Sequence, residues 1–77
     1  LDNLEEKVKG IIAGSLAIDP DEFSMEVDIS AVYNADSLDI MTLIKEIELE
    51  FDYEIEDKYL PELKTGYDIL NHLKSHL

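Results

Sequence analysis

The sequence predicts an all-α domain: a small four-helix bundle with a long first loop and a short third helix. Three observations point there. Apolar residues recur at the helical period in three separated stretches, Leu4 to Leu16, Leu38 to Phe51 and Ile69 to Leu77. Helix-start chemistry, a capping side chain followed three residues later by an acid, stands at Asp36 and again at Thr65. The 77 residues have room for one small domain spanning 1–77, near the size at which burial barely offsets chain entropy.

The first helix rests on Leu4, Val8, Ile11, Ile12 and Leu16, whose spacing puts them on one face. Gly10 and Gly14 weaken it without breaking the pattern. Asp19-Pro20-Asp21 reads as a turn or the start of a short helical turn. From there to Asp36 runs a long connection without sustained period, in which Phe23, Met25, Val27, Ile29 and Val32 are expected to plug the core individually.

The next helix opens at Asp36. Asp36 is a good N-cap, and Asp39 completes a capping box and sits well at the positive end of the helix dipole. Ser37 is therefore the first helical residue. At about 100° per residue, Ile40, Leu43, Ile44, Ile47 and Phe51 fall within an arc of roughly 100°, the width of a core-facing stripe. Leu38, Met41 and Leu49, with the stem of Lys45, form a second stripe on the opposite side. This helix carries more apolar surface than one core needs, and the surplus begins beside Ser37.

Beyond Phe51 the acidic run Asp52-Tyr53-Glu54-Ile55-Glu56-Asp57 leads into a short third helix at Lys58-Tyr59-Leu60, stopped near Pro61. Leu63 is expected to anchor the segment leading to Thr65. Thr65-Gly66-Tyr67-Asp68 is a second capping box, opening a last helix with Ile69, Leu70, Leu73 and Leu77 inward. The chain shows no internal repeat and no low-complexity linker.

Ala35-Asp36-Ser37-Leu38-Asp39, the later Glu50-Phe51 and the rhythm of the chain from Leu4 to Leu77 resemble the acyl carrier proteins. The resemblance implies that Ser37 is esterified by 4′-phosphopantetheine from coenzyme A, with Asp36 the neighbouring acid of that site. It implies that a separate phosphopantetheinyl transferase performs the attachment. The thiol of the arm would carry acyl groups as thioesters in fatty-acid, polyketide or related lipid biosynthesis. Leu38, Asp39, Met41, Lys45, Glu48 and Leu49 become the partner-binding set, facing synthases and acyl-transferring enzymes. By the same resemblance the short helices could part slightly and admit an apolar acyl chain. Asn34 stands where the family commonly has glycine, but Asn tolerates a left-handed backbone and should preserve the turn. Tyr33 replaces a usual leucine and is expected to set a ring with a hydroxyl beside the serine. Thr42 and Lys45 also depart from the family pattern, which points to a specialised carrier.

The residues around Ser37 argue independently that it is a substrate and not a catalyst. A serine hydroxyl is a poor nucleophile without a base, and no histidine or lysine neighbours Ser37 in sequence. Asp36 is a weak base already useful as a cap. No acid–base pair is evident, so the chain is not read as an enzyme.

Charge narrows the partners. Six basic against 19 acidic residues give a formal net charge of −13. Nucleic acid and anionic membrane surfaces would repel such a chain, whereas basic enzyme surfaces would attract it in a salt-dependent way. No apolar run approaches a membrane span, so no membrane insertion is expected. No cysteine is present, which fits a reducing compartment, the cytoplasm. The expected state is a monomer. Leu1, in place of Met, points to a trimmed or excised segment.

Other constellations carry less. His72 and His76 stand at a spacing that can bind zinc, but without a third ligand they read as two solvated residues near the chain end, and no metal site is expected. Asp19, Asp21 and Asp28 lack the glycine and terminal glutamate of a calcium-binding EF-hand loop. The acids from Glu48 to Asp57 could bind divalent cations diffusely. Two readings stand beside the acyl carrier: a peptidyl or aminoacyl carrier, and an unmodified acidic helical adaptor that binds a basic partner helix through Leu38, Met41 and Leu49. The acidic flank of Asp36 and Asp39, and the absence of a Gly-Gly pair before the serine, favour acyl cargo.

Overall fold

Four α-helices and two 3-10 segments make up the computed structural model, which describes residues 3–77; Leu1 and Asp2 lie outside the described residues. The helices are α1 (Asn3–Ser15), α2 (Ile29–Tyr33), α3 (Ser37–Phe51) and α4 (Gly66–His76). The 3-10 segments are Pro20–Glu22 and Asp57–Glu62. The core is one cluster that takes Val8, Ile12 and Ala13 from α1 and Leu43, Ile44 and Ile47 from α3. Ile69, Leu70 and Leu73 complete it from α4. Leu4, Ile11, Leu16, Ile40 and Phe51 are half-buried against its edge, as their spacing predicts.

The end of α1 is not visible in the apolar period. The Ile18 N–H bonds to the Ala13 carbonyl at 2.8 Å and the Ala17 N–H to Gly14 at 3.2 Å, the paired bonds of a Schellman stop. Ala17 takes the left-handed conformation (φ 59°) that glycine usually fills.

The long connection is less irregular than its composition suggests. Asp19 caps the first 3-10 turn by accepting the Asp21 N–H at 2.9 Å, with Pro20 opening it. Asp28 then caps α2 through the Ala31 N–H at 3.0 Å. α2 has five residues, too few to declare a period. Phe23, Met25 and Ile29 plug the core as expected, and Val27 is half-buried. Val32 does not, being 57% exposed, because α2 turns only its Ile29 side inward. The connection is stitched to the approach of α4: the Ile29 N–H bonds to the Lys64 carbonyl (2.9 Å) and the Tyr67 N–H to the Met25 carbonyl (3.0 Å).

The bundle therefore has its expected class and long first loop, with α2 added inside that loop and further changes of detail. The short element after α3 is a 3-10 segment, and Pro61 lies within it instead of ending it. Pro61 stands second in the turn closed by the Leu63 N–H on the Leu60 carbonyl (3.1 Å), a position that suits its fixed φ and does not call on its missing N–H. Leu63 anchors the exit at 7% exposure, while Leu77, expected inward, is 60% exposed at the end of α4. His72, read from sequence as solvated, is buried at 8% exposure. Among the described residues no helix is long and apolar enough to cross a membrane.

Candidate functional site

The candidate site lies at the mouth of α3. The chain leaves α2 through Asn34, whose left-handed backbone (φ 57°, ψ 37°) turns it sharply towards Asp36. Ala35 is buried, so the turn is pinned on its inner side while Asp36 and Ser37 stay exposed. The capping box read from sequence is present in both directions. Asp36 Oδ1 accepts the Asp39 N–H at 2.9 Å, and Asp39 Oδ2 accepts the Asp36 N–H at 3.2 Å. Each carboxylate thus satisfies one of the donors that a helix start leaves open. The N–H groups of Ser37 and Leu38 have no acceptor among the described residues, and neither has the Ser37 hydroxyl. Exposed hydroxyl and unclaimed amides share the positive end of a 15-residue helix.

The second stripe of α3 faces outward. Leu38 is 74% exposed, Met41 49% and Leu49 81%, although all three are large and apolar. Lys45 divides this face into two shallow grooves. One is apolar and lined by Leu38, Met41, Thr42 and Glu46. The other is acidic, lined by Glu48, Leu49, Asp52, Tyr53 and Glu54.

Two acids of the expected partner-binding set also serve the fold. Asp39 belongs to the capping box. Glu48 is half-buried and accepts the Ile55 N–H at 2.8 Å, closing the turn where Asp52 reverses the chain with a positive φ of 51°. Tyr33, expected beside the serine, turns its hydroxyl elsewhere: it accepts the Ser24 N–H at 2.7 Å, and its ring stacks on Phe23 with centroids 5.1 Å apart. That bond spans nine residues of an aperiodic loop and leaves no local signal. Among the described residues no three His, Asp or Glu are grouped so as to hold a metal ion.

Residues 6–73 match the family described as Phosphopantetheine attachment site. The chain is 44% identical over 71 residues to the acyl carrier protein of Clostridium acetobutylicum, covering 92% of each. It is 41% identical over 70 residues to the acyl carrier protein of Thermosynechococcus vestitus, covering 91% of this chain and 86% of that one. A solved structure of the acyl carrier protein from Enterococcus faecalis superposes on it with a TM-score of 0.80 at 28% identity, spanning 99% of this chain and 96% of the other. With its helical frame, its exposed serine at the mouth of α3 and its match along almost the whole chain, this protein belongs to the acyl carrier protein family, whose prosthetic group is a covalently attached 4′-phosphopantetheine.

Proposed function

We propose that Ser37 is the residue that bears the 4′-phosphopantetheine arm, and that the outward stripe of α3 is the surface on which loading and synthase enzymes dock. The carrying observation is the coincidence, at one helix start, of an exposed unengaged hydroxyl with two unclaimed backbone N–H groups. These residues fit the group. An ester formed at the Ser37 oxygen leaves a phosphodiester beside the N–H groups of Ser37 and Leu38, where a helix end favours negative charge. The capping box keeps the Asp36 and Asp39 carboxylates bonded to backbone amides, which tempers their repulsion of that phosphate.

When bound, the arm supplies a thiol that carries acyl groups as thioesters, chemistry that a chain without cysteine lacks. The chain itself serves as substrate and carrier of other enzymes and supplies no catalytic base at Ser37. Leu38, Met41 and Leu49 provide the apolar contact. Asp36, Asp39 and Glu48 provide negative charge, and a net charge of −13 attracts enzymes with basic docking surfaces. Lys45 breaks the apolar stripe and selects among those partners. Residues 1–77 form one acyl-carrier-like domain, acting as a monomer in the cytoplasm, in fatty-acid, polyketide or related lipid biosynthesis.

The test is intact mass before and after incubation with coenzyme A and a broad-specificity phosphopantetheinyl transferase. A gain of one phosphopantetheine, absent from Ser37→Ala, is the expected result. Equal gain in that variant would move the attachment site, and no gain in a folded, unmodified sample would favour an acidic adaptor.

A further inference from the structure

The last turns of α4 hold a buried histidine that the carrier role does not use. His72 is 8% exposed, and its Nε2 is sealed from solvent without a hydrogen-bond partner among the described residues. Its ring stacks on His76 with centroids 4.1 Å apart and an interplanar angle of 20°. Tyr59, from the 3-10 segment, closes on it at 4.7 Å, and Tyr53, from the turn after α3, lies at 6.2 Å. His72 is therefore one point at which the connection from α3 to α4 is packed, alongside the buried Ile55 and Leu63. A groove of about 300 Å³ runs alongside, lined in part by Glu62, Asp68, Ser75 and His76.

The two imidazoles sit in different surroundings. His76 Nδ1–H donates to the His72 carbonyl at 2.8 Å, and His76 is exposed. Charged, the His72 ring carries an N–H on both nitrogens, and the one at Nε2 would be a buried donor without an acceptor on a ring stacked on a second imidazole.

We propose that His72 is a proton-operated latch: neutral, it holds the Tyr53–Leu63 connection against α4, and once protonated it leaves its seat and releases that connection. The groups facing it are Tyr53 from the turn, Tyr59 and Glu62 from the 3-10 segment, and Asp68 and His76 from α4. Burial holds its pKa below the ordinary 6.5, His76 pushes in the same direction, and Glu62 opposes both more weakly. A base whose folded pKa is depressed contributes its full stability above the unfolded value near 6.5. That contribution is lost as pH falls towards the folded pKa. Charge over the whole chain runs the other way, because acidification relieves the repulsion of a −13 molecule. Loss of stability just below pH 6.5 is thus a signature of the latch and not of the overall field.

The experiment is nuclear magnetic resonance on the full chain from about pH 8 to pH 5, bracketing the ordinary histidine range. It follows the His72 ring signals and the hydrogen-exchange protection of amides between Tyr53 and Leu63. Melting of wild type and His72→Phe is measured over the same range. Expected are a His72 titration below 6.5 and a fall in protection confined to the connection. The fall is about tenfold for each pH unit separating the folded and unfolded pKa values. His72→Phe, which cannot take up the proton, should melt without this acid-side decline. A His72 titration at or above 6.5, or protection in wild type that does not change with pH, would overturn the latch. The wild-type measurements decide even if the variant does not fold.

Discussion

Asp36 and Asp39 exchange hydrogen bonds reciprocally, each carboxylate accepting the other residue's backbone N–H, at 2.9 and 3.2 Å. The pair starts α3 and leaves Ser37 between them unengaged, so two roles of Asp36 can be separated. Asp36→Ala should lose about 1 kcal/mol of stability, whereas Asp36→Asn, which keeps the capping oxygen, should stay within about 0.5 kcal/mol of wild type. Urea unfolding measures both. If Asp36→Asn also accepts phosphopantetheine more slowly, that deficit belongs to charge at the docking surface and not to the helix.

Gly10 and Gly66 should respond to alanine with opposite signs. Gly10 lies inside α1 with open space where a Cβ would go, so Gly10→Ala should stabilise by about 1 kcal/mol. A Cβ on Gly66 would run into Met25 Sδ and stand 3.1 Å from the Met25 Cα. Gly66→Ala should therefore destabilise by about 1–3 kcal/mol through overpacking. Thermal unfolding of the two variants side by side checks the contrast.

The left-handed residues Ala17 and Asn34 offer a matched backbone test. Ala17 (φ 59°) has no side-chain compensation, so Ala17→Gly should stabilise by about 1 kcal/mol. Asn34 (φ 57°) already suits the conformation, so Asn34→Gly should be near neutral and Asn34→Ala should cost about 1 kcal/mol. A destabilised Ala17→Gly would show that strain is not what that position holds.

The two faces of α3 should separate stability from docking. Ile47 is fully buried, and Ile47→Ala should cost about 2–5 kcal/mol. Leu49 is 81% exposed, and Leu49→Ala should alter stability by no more than about 0.5 kcal/mol. It should instead raise the KM of a partner enzyme roughly fivefold, equivalent to about 1 kcal/mol of lost apolar contact. Unchanged KM values for both Leu38→Ala and Leu49→Ala would remove the stripe from the docking surface.

Tyr67 predicts an alkaline effect. Its hydroxyl donates to Glu5 Oε2 at 3.1 Å, and that bond, followed by the charge of Glu5, raises its pKa above the ordinary 10.0. A raised folded pKa gives a contribution that is complete below the unfolded value and lost as pH rises through the folded one. Wild type should lose its margin over Tyr67→Phe as pH climbs past about 10, and equal melting of the two at every pH would remove the bond from the balance.

The sequence by itself determined whatever depends on near neighbours. The core face of α3, its outward apolar stripe, both capping boxes and the exposed serine rest on residues within four positions of one another, and helix geometry alone brings such residues together. The left-handed turn at Asn34 was legible through the family resemblance, which sets a glycine at that place. The tertiary structure decided whatever depends on distant segments. Tyr59 and Tyr53 come from another part of the chain to bury His72, so its i, i+4 spacing from His76, without a third metal ligand, read as two exposed rings. Met25 crosses the start of α4 and excludes a side chain at Gly66. Ser24 claims the Tyr33 hydroxyl, and α2, too short to show a period, turns Val32 out to solvent. In each case the deciding contact becomes favourable only after the bundle has already brought the segments together, and no local pattern encodes it.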